Sequence, residues 1–206
     1  MMAQETLAPN LTADLFAGLA FAFDFPGESH VRVDPCNQLL VALVRASDRD
    51  SEMAAWLDRL TAVLPEQEEV SSRLPGLRRE FQRLFELPSP VVLPYESAWV
   101  TPNDSPGVFS SGIAASYREA GLCQSPDFRD LSDHVCLELE LLAHLSRRTE
   151  CNPGGKNEAD RFRTEHLDRW LPGFLGAVES RSEDDYYRLA AGLGQALLFA
   201  AKGRDR

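Results

Sequence analysis

Apolar residues recur at intervals of three and four along almost the whole chain, and this spacing constrains the fold more than any other feature of the sequence. It places apolar side chains on one face of an α-helix, whereas a half-buried strand would alternate apolar and polar residues. No segment alternates convincingly over the length of a strand. The sequence therefore predicts an all-α fold, a helical bundle of about eight or more helices.

The boundaries of the helices follow from the same spacing and from residues that typically start or stop a helix. The predicted helices cover residues 10–23, the segment that follows Asp34-Pro35, 51–64, 77–85, 113–120, 132–148, 158–179 and a last helix capped by Ser182. Asp34 is predicted to cap the second helix, with Pro35 at the first helical position. Asp133 is predicted to cap the helix over 132–148, and a bend is expected at Pro172-Gly173.

Residues 87–107 contain five prolines and lack helical spacing. Inside a compact domain, such a stretch is typical of a functional loop or a hinge. We therefore interpret the chain as a single helical domain over residues 1–206. It could be subdivided into N-terminal helices (1–86), a hinge loop (87–107) and C-terminal helices (108–206).

The charge of the chain argues against a nucleic-acid-binding protein. The 21 Lys and Arg residues stand against 32 Asp and Glu residues, which gives a net charge of −11. A protein that binds a nucleic-acid backbone needs a basic face, whereas this chain would attract a basic peptide. We therefore expect no nucleic-acid partner.

The N-terminal sequence and the cysteines indicate a cytoplasmic protein. Residues 1–5 have no basic stretch ahead of an apolar one, as a signal peptide would have. The longest apolar run, 15–23, is about half of a membrane-spanning helix, so no stable membrane association is expected. The four cysteines form no C-x-x-C pair, which favours reduced thiols.

No motif in the sequence indicates catalysis or a metal site. The chain lacks G-x-S-x-G, the phosphate loop and H-E-x-x-H. His134 and Glu138 share a helical face, but His144 lies about 15 Å further along, too far for one ion. We therefore expect no structural metal and no permanently bound cofactor. Elemental analysis of protein purified without chelator tests this, and a stoichiometric transition metal would contradict it.

Five motifs follow one another in an order and spacing that resemble a known family. They are Leu77-x-x-Glu80-Phe81-x-Arg83-Leu84-Phe85, Leu93-Pro94-Tyr95-Glu96-Ser97-Ala98-Trp99, Tyr117-x-x-x-Gly121-Leu122, Asp133-His134-x-x-x-Glu138-Leu139-Glu140-Leu141-Leu142-x-x-Leu145 and Phe162-x-x-x-His166-Leu167-x-x-Trp170-Leu171-Pro172-x-Phe174. Over roughly residues 77–200 the chain resembles the TorD/DmsD/NarJ family of redox-enzyme maturation chaperones.

The resemblance implies a TorD-like, cytoplasmic and non-enzymatic chaperone. Such a protein binds the twin-arginine signal peptide and the apo form of a molybdopterin-dependent oxidoreductase, whose catalytic subunit is its partner, and assists cofactor insertion and assembly before export. It carries no cofactor and is a monomer or a homodimer that exchanges domains through the hinge loop.

The resemblance also indicates where the peptide would bind, with Glu138 added because it lies one turn beyond the Asp133-His134 pair. The candidate peptide-binding residues are Pro94, Tyr95, Glu96, Ser97, Trp99, Asp133, His134 and Glu138. Phe162, Trp170 and Phe174 recur at helical spacing, so we interpret them as core. The alternative function is a small helical nucleotide-binding or hydrolase enzyme that uses Asp133, His134 and Glu138 for acid–base chemistry.

Overall fold

Helices form almost all of the regular structure in the computed structural model, which describes residues 9–65, 69–86, 88–101, 106–123, 130–151 and 156–203. The α-helices are α1 (Pro9–Ala22), α2 (Gln38–Ser47), α3 (Ser51–Val63), α4 (Val70–Phe81), α5 (Glu96–Val100), α6 (Pro106–Glu119), α7 (Val135–Cys151), α8 (Lys156–Phe162), α9 (Asp168–Arg181) and α10 (Asp185–Gly203). Within the described ranges there is no strand, and one isolated antiparallel bridge joins Tyr95 to His134. The predicted all-α fold is confirmed.

The N-terminal helix α1 lies in the centre of the bundle, where it packs against α2, α7 and α10. Leu15, Leu19 and Phe23 are almost completely buried there. Each such side chain contributes about 1.5–3 kcal/mol when it leaves water. The rings of Phe23 and Phe174 meet edge to face at 5.4 Å, which joins α1 to α9. The two ends of the chain therefore share one core.

Two predicted helices have the expected boundaries, whereas others begin elsewhere. The helices predicted over 10–23 and 51–64 correspond to α1 and α3 within one residue at each end. By contrast, α4 and α6 each begin seven residues before the prediction, and α7 begins at Val135 rather than Ser132. The early turns of α4 and α6 contain few apolar residues, so their helical spacing is weak.

The predicted start of α2 at Asp34-Pro35 was wrong. The Asp34 carboxylate accepts a hydrogen bond from the Cys36 amide at 2.8 Å and so closes a turn ahead of the helix. The cap is Asn37, whose side-chain oxygen accepts from the Leu40 amide at 3.1 Å. Asn37 is fully buried and its amide group donates to the Arg32 carbonyl at 3.2 Å. Asn37 therefore forms hydrogen bonds both with the first turn of α2 and with the loop that precedes the helix.

The helix predicted over 158–179 is interrupted by a π-helical turn, and Pro172, where a bend is expected, lies inside α9. This π-helical turn, over Arg163–Leu167, separates α8 from α9, and α9 continues through the proline.

The cap predicted for the last helix, α10, differs from the one in the structure. The Asp184 carboxylate, and not Ser182, accepts from the Tyr186 amide at 2.9 Å. The Ser182 hydroxyl instead lies 3.0 Å from the Glu80 carboxylate.

The proline-rich stretch 87–107 contains a helix that its sequence did not predict. Five of its residues form α5, which packs against α6 and α9. A second π-helical turn, Gln82–Glu86, leads into this stretch at the end of α4. Residues 88–101 are therefore docked on the C-terminal helices in this structure.

Candidate functional site

The segment before α5 lies beside the start of α7, and backbone hydrogen bonds hold the two together. The Val135 amide donates to the Pro94 carbonyl at 2.9 Å, and the Glu96 amide donates to the Asp133 carbonyl at 3.0 Å. The Ser97 amide donates to the Asp133 carboxylate at 3.0 Å. The two candidate segments, which are 33 or more residues apart in sequence, are therefore neighbours in the fold.

Asp133 and His134 have roles that differ from the predicted helix cap. Asp133 is fully buried, and its carboxylate binds the first turn of α5 rather than capping α7. The residue in the capping position of α7 is His134, whose Nδ1 accepts from the Cys136 amide at 3.3 Å. Burial lowers the pKa of His134, which favours the neutral ring that can accept this bond.

Tyr95 and Trp99 present aromatic surface at the outer side of this junction. The Tyr95 hydroxyl donates to the Asp130 carboxylate at 2.7 Å, and its ring meets His134 edge to face at 5.4 Å. The Trp99 indole donates to the Leu93 carbonyl at 2.9 Å. Its ring lies on α9 at Gly173, where an added Cβ would come within 3.2 Å of it. Trp99 remains 37% exposed and Leu93 45% exposed.

Glu96 and Glu138 form a buried pair of carboxyl groups beneath this surface. Both side chains are fully buried and lie within hydrogen-bond distance of each other. Glu96 also contacts His166 Nδ1 at 2.9 Å, and Glu138 accepts from the Trp170 indole at 3.1 Å. Burial, and then the neighbouring Glu96, raise the pKa of Glu138 well above its ordinary range.

Four exposed carboxylates lie around this junction, and we call Asp24, Glu86, Asp130 and Glu140 the acidic rim. Glu86 and Asp130 are neighbours of Tyr95, Asp24 and Asp130 are neighbours of His134, and Glu140 is a neighbour of Asp24. Partial burial and the charge of Asp130 raise the pKa of Glu86. Partial burial and the charge of Asp24 likewise raise the pKa of Glu140. Besides burial, these shifts reflect repulsion within the pairs Glu86–Asp130 and Asp24–Glu140, and a cation beside either pair would relieve it.

The structure brings the eight predicted site residues together but exposes only two of them to a ligand. Tyr95 is half-buried and Trp99 is exposed. The buried six are Pro94, Glu96, Ser97, Asp133, His134 and Glu138. In this conformation the six buried side chains hold residues 94–100 against the start of α7 and do not form an exposed binding surface. The acidic rim was not predicted, because Asp24, Glu86 and Asp130 lie outside the five motifs and Glu140, which lies within one, was not among the candidate residues.

The same burial bears on the chemistry that the site can perform. Asp133, His134 and Glu138, the residues of the alternative acid–base hypothesis, are at most 6% exposed in this structure. Among the described residues, no group of three or more His, Cys, Asp or Glu side chains is arranged to hold a metal ion. None of the described helices is both long and apolar enough to cross a membrane.

Comparison with known proteins relates the chain to chaperones. The family model described as nitrate reductase delta subunit matches residues 47–176, which is more than half of the chain. The protein named chaperone protein TorD from Salmonella newport (strain SL254) is 26% identical over 211 aligned residues, which cover all of this chain and 95% of the relative. TorD from Salmonella agona (strain SL483) is also 26% identical, and the alignment covers 96% of this chain and 91% of the relative.

A solved structure has the same fold. A redox enzyme maturation protein from Archaeoglobus fulgidus matches with a TM-score of 0.55 and 19% identity, covering 90% of this chain and 93% of the other. At this identity the likeness concerns the fold alone. The family match extends from the last residue of α2 into α9 and includes both segments of the candidate site. The chain therefore belongs to the nitrate reductase delta subunit family, the TorD/NarJ-like chaperones of redox-enzyme maturation.

Proposed function

We propose that the chain is a cytoplasmic, non-enzymatic chaperone for a molybdopterin-dependent oxidoreductase. It binds the twin-arginine signal peptide and the apo form of the catalytic subunit, and it assists cofactor insertion and assembly before export. The observation that carries this proposal is the acidic rim, of which Glu86 and Asp130 lie beside Tyr95, together with the exposed side chains of Leu93 and Trp99 in the same segment as Tyr95. A peptide with two arginines followed by an apolar stretch requires both kinds of surface.

The chemistry of the rim suits guanidinium groups. An arginine binds a carboxylate through two parallel hydrogen bonds, and its charge does not depend on pH in the physiological range. The four rim carboxylates lie on the surface, so they can meet such a group without a rearrangement of the core. Leu93 and Trp99 offer the apolar contact for the residues that follow the arginines.

We expect the triple variant Glu86→Gln, Asp130→Asn and Glu140→Gln to bind a synthetic twin-arginine signal peptide about 10-fold more weakly at low salt. The reason is that each exposed carboxylate contributes a few tenths of a kcal/mol to about 1 kcal/mol. The loss should shrink at high salt, because mobile ions screen surface charges. Titration calorimetry at two salt concentrations measures both effects.

A matched triple variant, Glu52→Gln, Asp58→Asn and Glu69→Gln, removes the same charge from exposed positions on α3 and at the start of α4. It should bind the peptide like the parent, apart from a small effect of net charge. If both triple variants lose affinity equally, the rim is not the contact for the arginines.

The second part of the proposal concerns the whole client. Purification of the tagged chain from native cytoplasm should also recover an immature molybdopterin oxidoreductase subunit, identified by mass spectrometry. Incubation with nucleotides distinguishes the alternative, since a hydrolase would turn them over at a catalytic rate. Recovery of no such subunit, together with nucleotide turnover, would contradict the chaperone proposal.

A further inference from the structure

The pair Glu96 and Glu138 has an unusual environment for two acids. Both are fully buried, and in the described part of the chain neither forms an ion pair with lysine or arginine. Each has one oxygen, Oε1, to which no other group of the protein donates a hydrogen bond. Burying two like charges side by side is strongly unfavourable, whereas a carboxylic acid donates a hydrogen bond to a carboxylate.

We propose that Glu96 and Glu138 share one proton, and that this proton is a latch that holds residues 94–100 against α7 and α9. We call residues 94–100 the latch segment. With the proton in place, one carboxyl group donates to the other and the pair carries a single negative charge. Loss of the proton leaves two adjacent charges in a dry interior, which only water can stabilise. The latch segment must then move away from α7 and α9 so that water can enter.

The remaining contacts of the pair fit one charge rather than two. From the π-helical turn, His166 reaches Glu96, and from α9, Trp170 donates to Glu138. From the turn before α7, the charge of Asp133 acts on Glu138, and this further disfavours a second charge. From α6, the Tyr117 hydroxyl is buried and lacks a hydrogen-bond partner, and burial, followed by the charge of Glu138, raises the pKa of Tyr117. The raised pKa of Glu138 agrees with this arrangement.

His166 also gives the pair a route to solvent. Its side chain is 20% exposed and lines a small surface cavity together with Phe162, Leu145 and Glu119. A proton can therefore reach the buried carboxyl groups through the imidazole without opening the core. The inference concerns closure of the latch segment and holds whether or not the proposed peptide binds.

Hydrogen exchange tests the latch directly. The Glu96, Ser97 and Val135 amides make the hydrogen bonds that hold the segment in place. In the parent, their protection, corrected for intrinsic exchange rates, should fall at least about 10-fold between about pH 5 and about pH 9. The sign follows from linkage: an acid whose pKa is raised by folding stabilises the closed state at low pH, and this stabilisation is lost as the pH rises through the raised value.

Two variants and one control accompany this measurement. Glu138→Gln replaces the proton with a permanent amide donor, so protection should change less than about 2-fold over the same range. Glu96→Gln should behave similarly and serves if the first variant does not fold. Glu165→Gln removes the same charge from an exposed position beside His166 and should keep the pH dependence of the parent. Parent-like pH dependence in Glu138→Gln or Glu96→Gln would overturn the proposal.

Infrared spectroscopy of the parent provides an independent readout. A protonated carboxylic acid has a carbonyl stretch that a carboxylate lacks. This band should be present at neutral pH and disappear over the interval in which the amides lose protection. Its absence at neutral pH, or its persistence after protection is lost, would contradict a shared proton even if no variant can be purified.

Discussion

Replacing Trp170 with alanine should lower the free energy of unfolding by about 3–5 kcal/mol, the usual loss for a large buried aromatic side chain. Trp170 is 1% exposed and packs against Phe174 with ring centroids 5.4 Å apart. Its indole also donates to the buried carboxyl of Glu138 at 3.1 Å. The variant therefore creates a cavity and deprives a buried polar group of its donor. For a chain of this length the melting temperature should fall by about 10 °C.

Two comparisons separate the parts of this loss. Trp170→Phe retains a ring and removes only the donor, so it should cost about 1–3 kcal/mol. Trp99→Ala truncates an exposed indole and should change stability less, while it weakens the apolar contact with the proposed peptide. Thermal unfolding and calorimetry on the same samples provide both values. An unchanged melting temperature with lost peptide binding in Trp170→Ala would reverse its assignment to the core.

Trp170 also illustrates what the sequence could predict about this fold. Phe162, Trp170 and Phe174 recur at helical spacing, and all three are buried as that spacing predicts. Periodicity works for such residues because the face of a helix that meets the core is fixed by local geometry. For the same reason the predicted boundaries of α1 and α3 agree with the structure.

The helix α5 could not be predicted in this way. Its five residues, Glu-Ser-Ala-Trp-Val, are too few to establish a period and lie among prolines. Contacts with α6 and α9, and the carboxylate of Asp133 at its first turn, stabilise it instead. Isolated helices of this length are not stable in water, so tertiary packing decides whether they form.

The burial of acidic residues could not be predicted from the sequence either. A glutamate is normally exposed, so Glu96 and Glu138 pointed to a peptide-binding surface. In the structure they face each other inside the bundle, while the exposed carboxylates come from Asp24, Glu86, Asp130 and Glu140. Motif order placed these residues in one candidate region, but only tertiary packing divides its acids between the interior and the surface.

This division changes the interpretation of Asp133. The residue is fully buried, and its carboxylate accepts from the Ser97 amide at 3.0 Å. We therefore propose that Asp133 acts on the peptide by positioning the segment that carries Tyr95 and Trp99. Asp133→Ala should weaken binding of a twin-arginine peptide about 10-fold or more, because the Ser97 amide would be left buried without its acceptor.

Asparagine at the same position separates the two roles that Asp133 could have. Asp133→Asn retains an oxygen that can accept from Ser97 and loses the charge, so a positioning role predicts binding within about 3-fold of the parent. A direct ion pair with a peptide arginine predicts that asparagine weakens binding as much as alanine does. Calorimetry measures the affinities, and thermal unfolding of each variant shows whether the segment has lost stability. Equal losses for both variants, with unchanged melting temperatures, would assign Asp133 to the binding surface and require the latch segment to open when the peptide binds.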